Sequence, residues 1–334
     1  MDGATGASPK AEGDVILGPV TVPLPKSISE QARAYLATPF WAAGLVYPDG
    51  ADVAAWKAVV EEVRRNFAPV VEGMHAQSNA DVEKTTMGGV TVYVGTPRGL
   101  PAGRADKAHI YIHGGGWALL GGEACGGQAA VQATKFGVKT YSVDYRSPPE
   151  FRFPAALDDC LAVYVELLKS HKAGDIVISG SSAGGNLSAA LALRIRDAGL
   201  PAPAGVALLT PCSDAARLSD TFIINDQLDT VLSTASMSAF WDVYAGSHDR
   251  TDPYLSPVYA DYSGKFPPVF LQTGTRDVLL SDTVRLHRAM RRGGVKAELH
   301  VWEAMPHGGF DGLSPEDAEV NDEIQAFFER CWDA

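Results

Sequence analysis

Residues 175–186 read DIVISGSSAGGN, and this stretch decides the fold class. Its apolar, β-branched start at 175–179 predicts a buried strand, and the run from 186 to 196 predicts a helix. Between them, GSSAG at 180–184 has the G-x-S-x-G pattern of a serine held in a sharp strand-to-helix turn. The pattern predicts that Ser182 is a nucleophile, with the N–H of Ala183 and the start of the helix facing developing negative charge.

A second motif, HGGGW at 113–117, directly follows a strand-like run at 109–112. Consecutive glycines leave backbone N–H groups open to a substrate oxygen, so a glycine-rich loop of this kind can contribute to an oxyanion hole. A plain flexible turn is the alternative interpretation. A phosphate-binding loop is disfavoured because the loop has neither a G-K-[ST] ending nor a G-x-G-x-x-G pattern with a later acid.

A nucleophilic serine needs a general base, and the base needs an orienting carboxylate. In this kind of fold the acid and then the histidine follow the last two core strands. Asp277 and His307 occupy those places. Asp282 is the alternative acid, but Asp277 lies nearer to the end of its strand. We therefore predict a catalytic triad of Ser182, Asp277 and His307.

The rest of the chain alternates short apolar runs with helix-like stretches, which is typical of βαβ units around a mostly parallel sheet buried on both faces. Two further helix-like stretches, 29–37 and 51–67, come before the first strand signal, and a polar-rich interval at 211–264 reads as an insertion. Strands are predicted at 109–113, 138–143, 175–179, 205–209, 269–272 and 297–302, after an alternating run at 90–94. Helices are predicted near 124–136, 154–170, 183–198, 279–293 and 314–332.

Composition excludes several classes of function. The 334-residue chain is 46% hydrophobic and carries a formal charge of −12, which argues against binding to nucleic acid or to an anionic membrane surface. Its four cysteines show no zinc spacing, so no metal is expected. No basic-then-apolar leader and no apolar run of about 18 residues is found, so we expect a cytoplasmic protein without stable membrane insertion.

Five motifs cover the chain from about residue 108 onward. They are HGGG at 113–116, DYRSPPE at 144–150 with FPAALDD at 153–159, GSSAGGN at 180–186, DVLLSD at 277–282 and MPH at 305–307. Together, and in this order, they resemble the hormone-sensitive-lipase-like branch of the α/β-hydrolases, also called the bacterial family IV esterases. Three departures from the family pattern remove no catalytic group: Ser181 stands where the family has Asp, Ser147-Pro148 replaces Leu-Ala, and an additional glycine separates His307 from Phe310.

The resemblance implies an α/β-hydrolase fold with a mostly parallel central sheet, helices on both faces and a helical cap. It also implies an oxyanion hole built from the amides of Gly114, Gly115 and Ala183, and pairing into a homodimer through the last strand or the helix after it. In domain terms, 1–25 would be a flexible arm, 26–80 and 211–250 the cap, and 81–210 with 251–334 the core.

The activity implied by the resemblance is hydrolysis of short to medium acyl esters by a carboxylesterase that needs no cofactor. The same triad could instead cleave a lactone, an aryl formamide or another amide. A non-catalytic ligand-binding relative is a further alternative, against which the presence of His307 argues, because receptors derived from this fold have lost that histidine. Aromatic candidates for the substrate pocket, with plain core packing as their alternative role, are Phe40, Trp41, Trp117, Phe222 and Trp241, followed by Phe151 and Tyr244.

Overall fold

A computed structural model describes residue 18 and the ranges 20–38 and 46–334. Most of the predicted N-terminal arm, together with Phe40 and Trp41, lies outside these residues.

Within the described residues, eight strands form one sheet in the order β1-β2-β4-β3-β5-β6-β7-β8. The pairs β1-β2 and β2-β4 are antiparallel, and every later pair in this order is parallel. A mostly parallel sheet with helical crossovers was predicted, and the α/β-hydrolase fold is confirmed. The strands are β1 Ala80–Met87, β2 Val90–Pro97, β3 Ala108–Ile112, β4 Lys139–Asp144, β5 Ile176–Ser181, β6 Gly205–Leu209, β7 Val269–Gly274 and β8 Ala297–Trp302.

Alternate residues of the central strands enter two separate hydrophobic cores. In β5, Ile176 and Ile178 lie in the larger core, whereas Val177 lies in the smaller one with residues of the C-terminal helix. Because both faces of the sheet are covered, these strands are continuously apolar instead of alternating with polar residues.

Helices cover the sheet and build the region above its carboxyl edge. The second helix continues past Pro69 to Gln77, further than the 51–67 predicted from its apolar spacing. The helices are α1 Glu30–Ala37, α2 Val53–Gln77, α3 Glu123–Phe136, α4 Ala155–Leu167, α5 Ala183–Asp197, α6 Thr221–Ile224, α7 Thr234–Ala245, α8 Leu280–Arg292 and α9 Pro315–Trp332.

The edge strand β1 was not predicted from the sequence. Its residues, ADVEKTTM, combine charged and small side chains and are mostly exposed or half-buried. Because most of its side chains are not buried against a core, this edge strand needs no apolar run.

Aromatic side chains attach the inserted segment to the rest of the molecule. The rings of Trp241 and Tyr244 on α7 lie with their centroids 4.4 Å from that of Trp117, which follows the glycine loop. On the other side of α7, Phe240 packs against Trp56 of α2 at 5.7 Å. These contacts join the inserted segment to the residue after the glycine loop and to α2. The division into a core and a cap built from 26–80 and 211–250 stays a prediction.

Candidate active site

Ser182 stands between β5 and α5 with φ 58° and ψ −119°, a conformation that L side chains rarely adopt. The surrounding glycines leave no room for a side chain. A Cβ on Gly184 would lie 1.9 Å from the carbonyl oxygen of Ile112, and one on Gly180 would lie 2.3 Å from that of Gly184. The chain at the end of β3 therefore runs directly against the turn and holds Ser182 in its strained position.

The three residues predicted as a triad are brought together by the structure. Each follows the carboxyl end of a parallel strand: Ser182 follows β5, Asp277 follows β7 and His307 follows β8. The Ser182 Oγ lies 2.9 Å from Nε2 of His307, and Nδ1 of His307 lies 3.1 Å from Oδ1 of Asp277. This chain of hydrogen bonds can move a proton from the serine to the imidazole.

Asp277 is fixed from two sides. The hydroxyl of Thr273 donates to its Oδ2 over 2.9 Å, and the N–H of Leu279 donates to its Oδ1 over 2.8 Å. Both carboxylate oxygens therefore point in set directions, and the side chain is fully buried.

The alternative acid, Asp282, lies elsewhere. Its carboxylate accepts the N–H groups of Ser213 and Asp214 at 3.0 and 3.1 Å, and it also bonds to the hydroxyl of Ser219. Burial raises the pKa of Asp282 to about 7. It ties α8 to the start of the inserted segment and makes no hydrogen bond with His307.

The electrostatics around His307 favour a protonated imidazole more than in free histidine. Burial lowers its pKa, but the charge and hydrogen bond of Asp277 and the charge of Asp229 outweigh that effect, so the net pKa is raised. A base with a raised pKa holds the proton it takes from Ser182 more firmly and stabilises the ion pair that forms during attack.

The glycine loop lies against the nucleophile. A Cβ on Gly114 would approach Cβ of Ser182 to 3.3 Å, and Gly115 and Gly116 have φ values of 79° and 58°. Among the described residues, the N–H groups of Gly114, Gly115 and Ala183 have no protein acceptor. Three unpaired donors beside Ser182 are what an oxyanion hole requires.

A cavity of about 740 Å³ opens onto Ser182 and His307. Residues of α2 and α7 line it, and its wall contains both apolar and polar side chains. The apolar lining includes Tyr47, Val63, Phe67, Leu119, Leu232, Met237 and Phe240.

The aromatic residues suggested for the pocket that the structure describes do not line this cavity, and Phe40 and Trp41 lie outside the described residues. Trp117, Trp241 and Tyr244 are fully buried in the contact between core and cap, and Phe222 is buried at the start of α6. Phe151 is on the surface. The sequence interpretation chose the wrong face of α7, since one residue along a helix turns the side chain by about 100°.

Phe240, the residue before Trp241, is the aromatic residue of α7 that lines the cavity. A Cβ on Gly116 would lie 2.1 Å from its ring. Glycine is needed at 116 to admit this ring as well as to shape the loop.

Asp229, also on the cavity wall, is a charged group at the site that the sequence analysis missed. It accepts the backbone N–H of His307 at 3.3–3.4 Å. No motif surrounds it, because the contact joins parts of the chain far apart in sequence.

A possible cation-binding group lies at the base of the glycine loop, away from the cavity. A ring nitrogen of His113, the thiol of Cys125 and a carboxylate oxygen of Asp144 lie within 4.8 Å of one another. Burial, then the charge of Asp144, raises the pKa of the Cys125 thiol well above its usual range. His113 and Asp144 already have hydrogen-bond partners in the protein, the hydroxyl of Tyr145 and the N–H of Gly122, and we assign this group no metal.

Known proteins similar to this chain include several hydrolases. The α/β-hydrolase fold family matches residues 109–311. The putative acetyl-hydrolase LipR of Mycobacterium tuberculosis is 33% identical over 243 residues, which cover 72% of this chain and 77% of that protein.

Solved structures agree. Esterase E25 is 35% identical, superposes with a TM-score of 0.87, and the match covers 95% of this chain and 98% of that one. An esterase from the bacterial hormone-sensitive lipase family is 28% identical, with a TM-score of 0.73 over 83% of this chain and 98% of the other. The protein therefore belongs to the α/β-hydrolase family, in the branch that includes the bacterial relatives of hormone-sensitive lipase.

Proposed function

We propose that this protein is a carboxylesterase that cleaves short to medium acyl esters through Ser182, His307 and Asp277. Esterase activity is supported by the family and by relatives named as esterases and acetyl-hydrolases. The observation that carries the assignment of residues is the unbroken hydrogen-bond chain from Ser182 Oγ through His307 to Asp277.

The reaction proceeds in two halves. His307 takes the proton of Ser182 as Oγ attacks the ester carbonyl, and Asp277 holds the imidazole in the tautomer with the proton on Nδ1. The amides of Gly114, Gly115 and Ala183 stabilise the oxyanion, each typically worth about 2.7–4 kcal/mol of barrier. His307 then protonates the leaving alcohol. In the second half, His307 takes a proton from the water that attacks the acyl-enzyme and returns it to Ser182 as the carboxylic acid leaves.

Replacing the nucleophile tests the assignment. Ser182→Ala should lower kcat for p-nitrophenyl butyrate about 10⁴- to 10⁶-fold, because only binding and the oxyanion hole remain. Circular dichroism and thermal unfolding serve as the control for an intact fold. A variant with wild-type turnover would rule out Ser182 as the nucleophile.

Acyl preference follows from the walls of the cavity. Phe240, Leu119 and Tyr47 are among the apolar residues that line it, which supports esters of short to medium length. A series of p-nitrophenyl esters from C2 to C16 should give the highest kcat/KM below about C10, and an optimum at C14 or longer would contradict the proposal.

Lactones, aryl formamides and other amides fit the same triad. A panel of these substrates against matched esters, compared by kcat/KM, decides between them. A fluorophosphonate probe that labels wild-type protein but not Ser182→Ala would exclude a purely ligand-binding role.

We also propose a cytoplasmic homodimer. Strand β8 is one of the two edges of the described sheet, and Val301 on it is 44% exposed. Sedimentation velocity should show a dimer at micromolar concentration, and Val301→Lys should shift it toward monomer because charge on an edge strand opposes pairing.

A further inference from the structure

One carboxylate of the segment between α6 and α7, that of Asp229, contacts the loops of Asp277 and His307. Asp229 accepts the N–H groups of Val231 and Leu232 on Oδ1, at 2.9 and 3.1 Å, so its own loop curls around it. Its Oδ2 accepts the N–H of Val278 at 3.0 Å, and both oxygens lie 3.3–3.4 Å from the N–H of His307. One side chain of the cap thus bridges the loop of the catalytic acid and the loop of the catalytic base.

The contacts to Val278 and His307 fall next to reacting groups. Val278 directly follows Asp277, and the other contact is to the backbone of His307 itself. The distance between the imidazole and the acid therefore depends on a residue that belongs to neither loop.

The charge of Asp229 acts on the same groups. Burial raises the pKa of Asp229 to about 6, with a further rise from the charge of Asp277 and an opposing effect of His307. Placing two carboxylates close together in a buried region costs stability unless a positive charge forms between or beside them. The imidazolium that forms on His307 during each turnover is that charge.

Among the described residues, this carboxylate interacts with the titratable side chains of Asp277 and His307 from the two catalytic loops and of Tyr35 from α1. Burial, then the charge of Asp311, raises the pKa of Tyr35 to about 12, so it stays neutral over the working range.

We propose that Asp229 is a positioning residue of the active site: it holds the acid and base loops in register and supplies a second negative charge beside His307. The cap segment is then part of the proton-transfer machinery as well as a wall of the substrate cavity. This inference rests on the proposed function of Ser182, Asp277 and His307.

The test is the pH profile of Asp229→Asn. Asparagine keeps the size of the side chain but presents an amide NH₂ to N–H donors and carries no charge. At pH 8 kcat should fall about 10- to 100-fold, which is what a displacement of about 1 Å costs. The acid limb of kcat/KM should also move down by about 0.5–1 pH unit, because His307 loses a stabilising charge and its pKa falls.

Two companion variants separate charge from geometry. Asp229→Glu keeps the charge, so its acid limb should stay at the wild-type pH while kcat is reduced. Asp226→Asn removes a charge three residues earlier, from a carboxylate that accepts the N–H of Thr234 and makes no hydrogen bond to either catalytic loop. Its acid limb should coincide with that of the wild type.

A direct measurement uses ¹⁵N-histidine NMR, which reports the imidazole pKa of His307 without turnover. The proposal expects a lower pKa in Asp229→Asn than in wild type. An unchanged acid limb and an unchanged imidazole pKa would overturn it, and so would wild-type kcat in both Asp229 variants. If Asp229→Asn does not fold, wild-type kcat in Asp229→Glu still contradicts it.

These outcomes are distinct from failure of the proposed function. If Ser182→Ala retained full activity, the triad assignment itself would be lost. If Ser182→Ala were inactive while Asp229→Asn behaved as wild type, only the role of Asp229 would be lost.

Discussion

The turn around Ser182 and the loop around Asp229 meet at the same histidine but are held in place by different means. Backbone contact fixes the first: Gly180 and Gly184 let two chain segments touch where no side chain would fit. Hydrogen bonds to one carboxylate fix the second. The difference shows which contacts can be recognised from sequence. A turn that requires glycines on both sides of the serine appears as a motif, whereas a bridge made by one side chain appears only as a single aspartate.

The largest effect should come from filling the turn. Gly184→Ala places a methyl group 1.9 Å from the oxygen of Ile112, and neither backbone can retreat without moving β3 or α5. We expect a loss of at least about 3 kcal/mol of stability and no measurable esterase activity. Urea unfolding and p-nitrophenyl butyrate turnover measure this, and a stable, active variant would show that the turn is held no more rigidly than the cap loop.

The next largest effect should come from the buried aromatic contact between α7 and the residue after the glycine loop. Trp241→Ala empties the fully buried contact with Trp117 and should cost about 3–5 kcal/mol. Unfolding should remain a single transition, because cap and core share this cluster. Phe151→Ala, an exposed aromatic that lies over Arg146, is the matched control, with a cost of at most about 1 kcal/mol. Two separate transitions would mean that the cap folds independently of the core.

A smaller effect concerns pH. The net pKa of His307 is raised above 6.5 by Asp277 and Asp229 despite its burial, and the neutral imidazole is the form that accepts a proton. In the wild type, kcat/KM should therefore fall as the pH drops through a value above 6.5. Stopped assays with a pH-independent chromophore measure this limb. An inflection well below 6.5 would mean that the two carboxylates do not act together on the imidazole.

The smallest effect should come from a glycine that, unlike Gly184, has free space around it. Gly73 lies inside α2, and a Cβ there meets nothing within 4 Å. Gly73→Ala should stabilise the protein by about 0.5–1 kcal/mol with unchanged kcat, because alanine loses less entropy in a helix. A destabilised variant would mean that the surroundings of Gly73 in α2 do not have room for a methyl group.

Much of the fold and of the catalytic centre could be predicted from the sequence. The buried strand β6 is a continuous apolar run and was predicted to the residue. The bounds of β8 were predicted as well, although it is a partly exposed edge strand in which apolar and polar residues alternate. The predicted triad residues follow strands of the same sheet, which explains how residues far apart in sequence, Ser182 and His307, come within hydrogen-bond distance.

What escaped prediction depends on tertiary contacts that leave no periodic signal. The edge strand β1 is polar because it faces solvent. The choice between Phe240 and Trp241 as the cavity residue depends on how α7 is rotated about its axis. The role proposed for Asp229 depends on two loops that meet only in the folded protein.

The close fit of Phe240 onto Gly116 has a consequence for how this enzyme could diversify. The same ring closes the substrate cavity and rests on the loop that would carry the oxyanion donors. Exchanging the cap for that of a relative would alter the shape of the cavity and the support of this loop in one step. New substrate ranges should therefore arise more readily by paired changes at 116 and 240 than by transfer of a whole lobe.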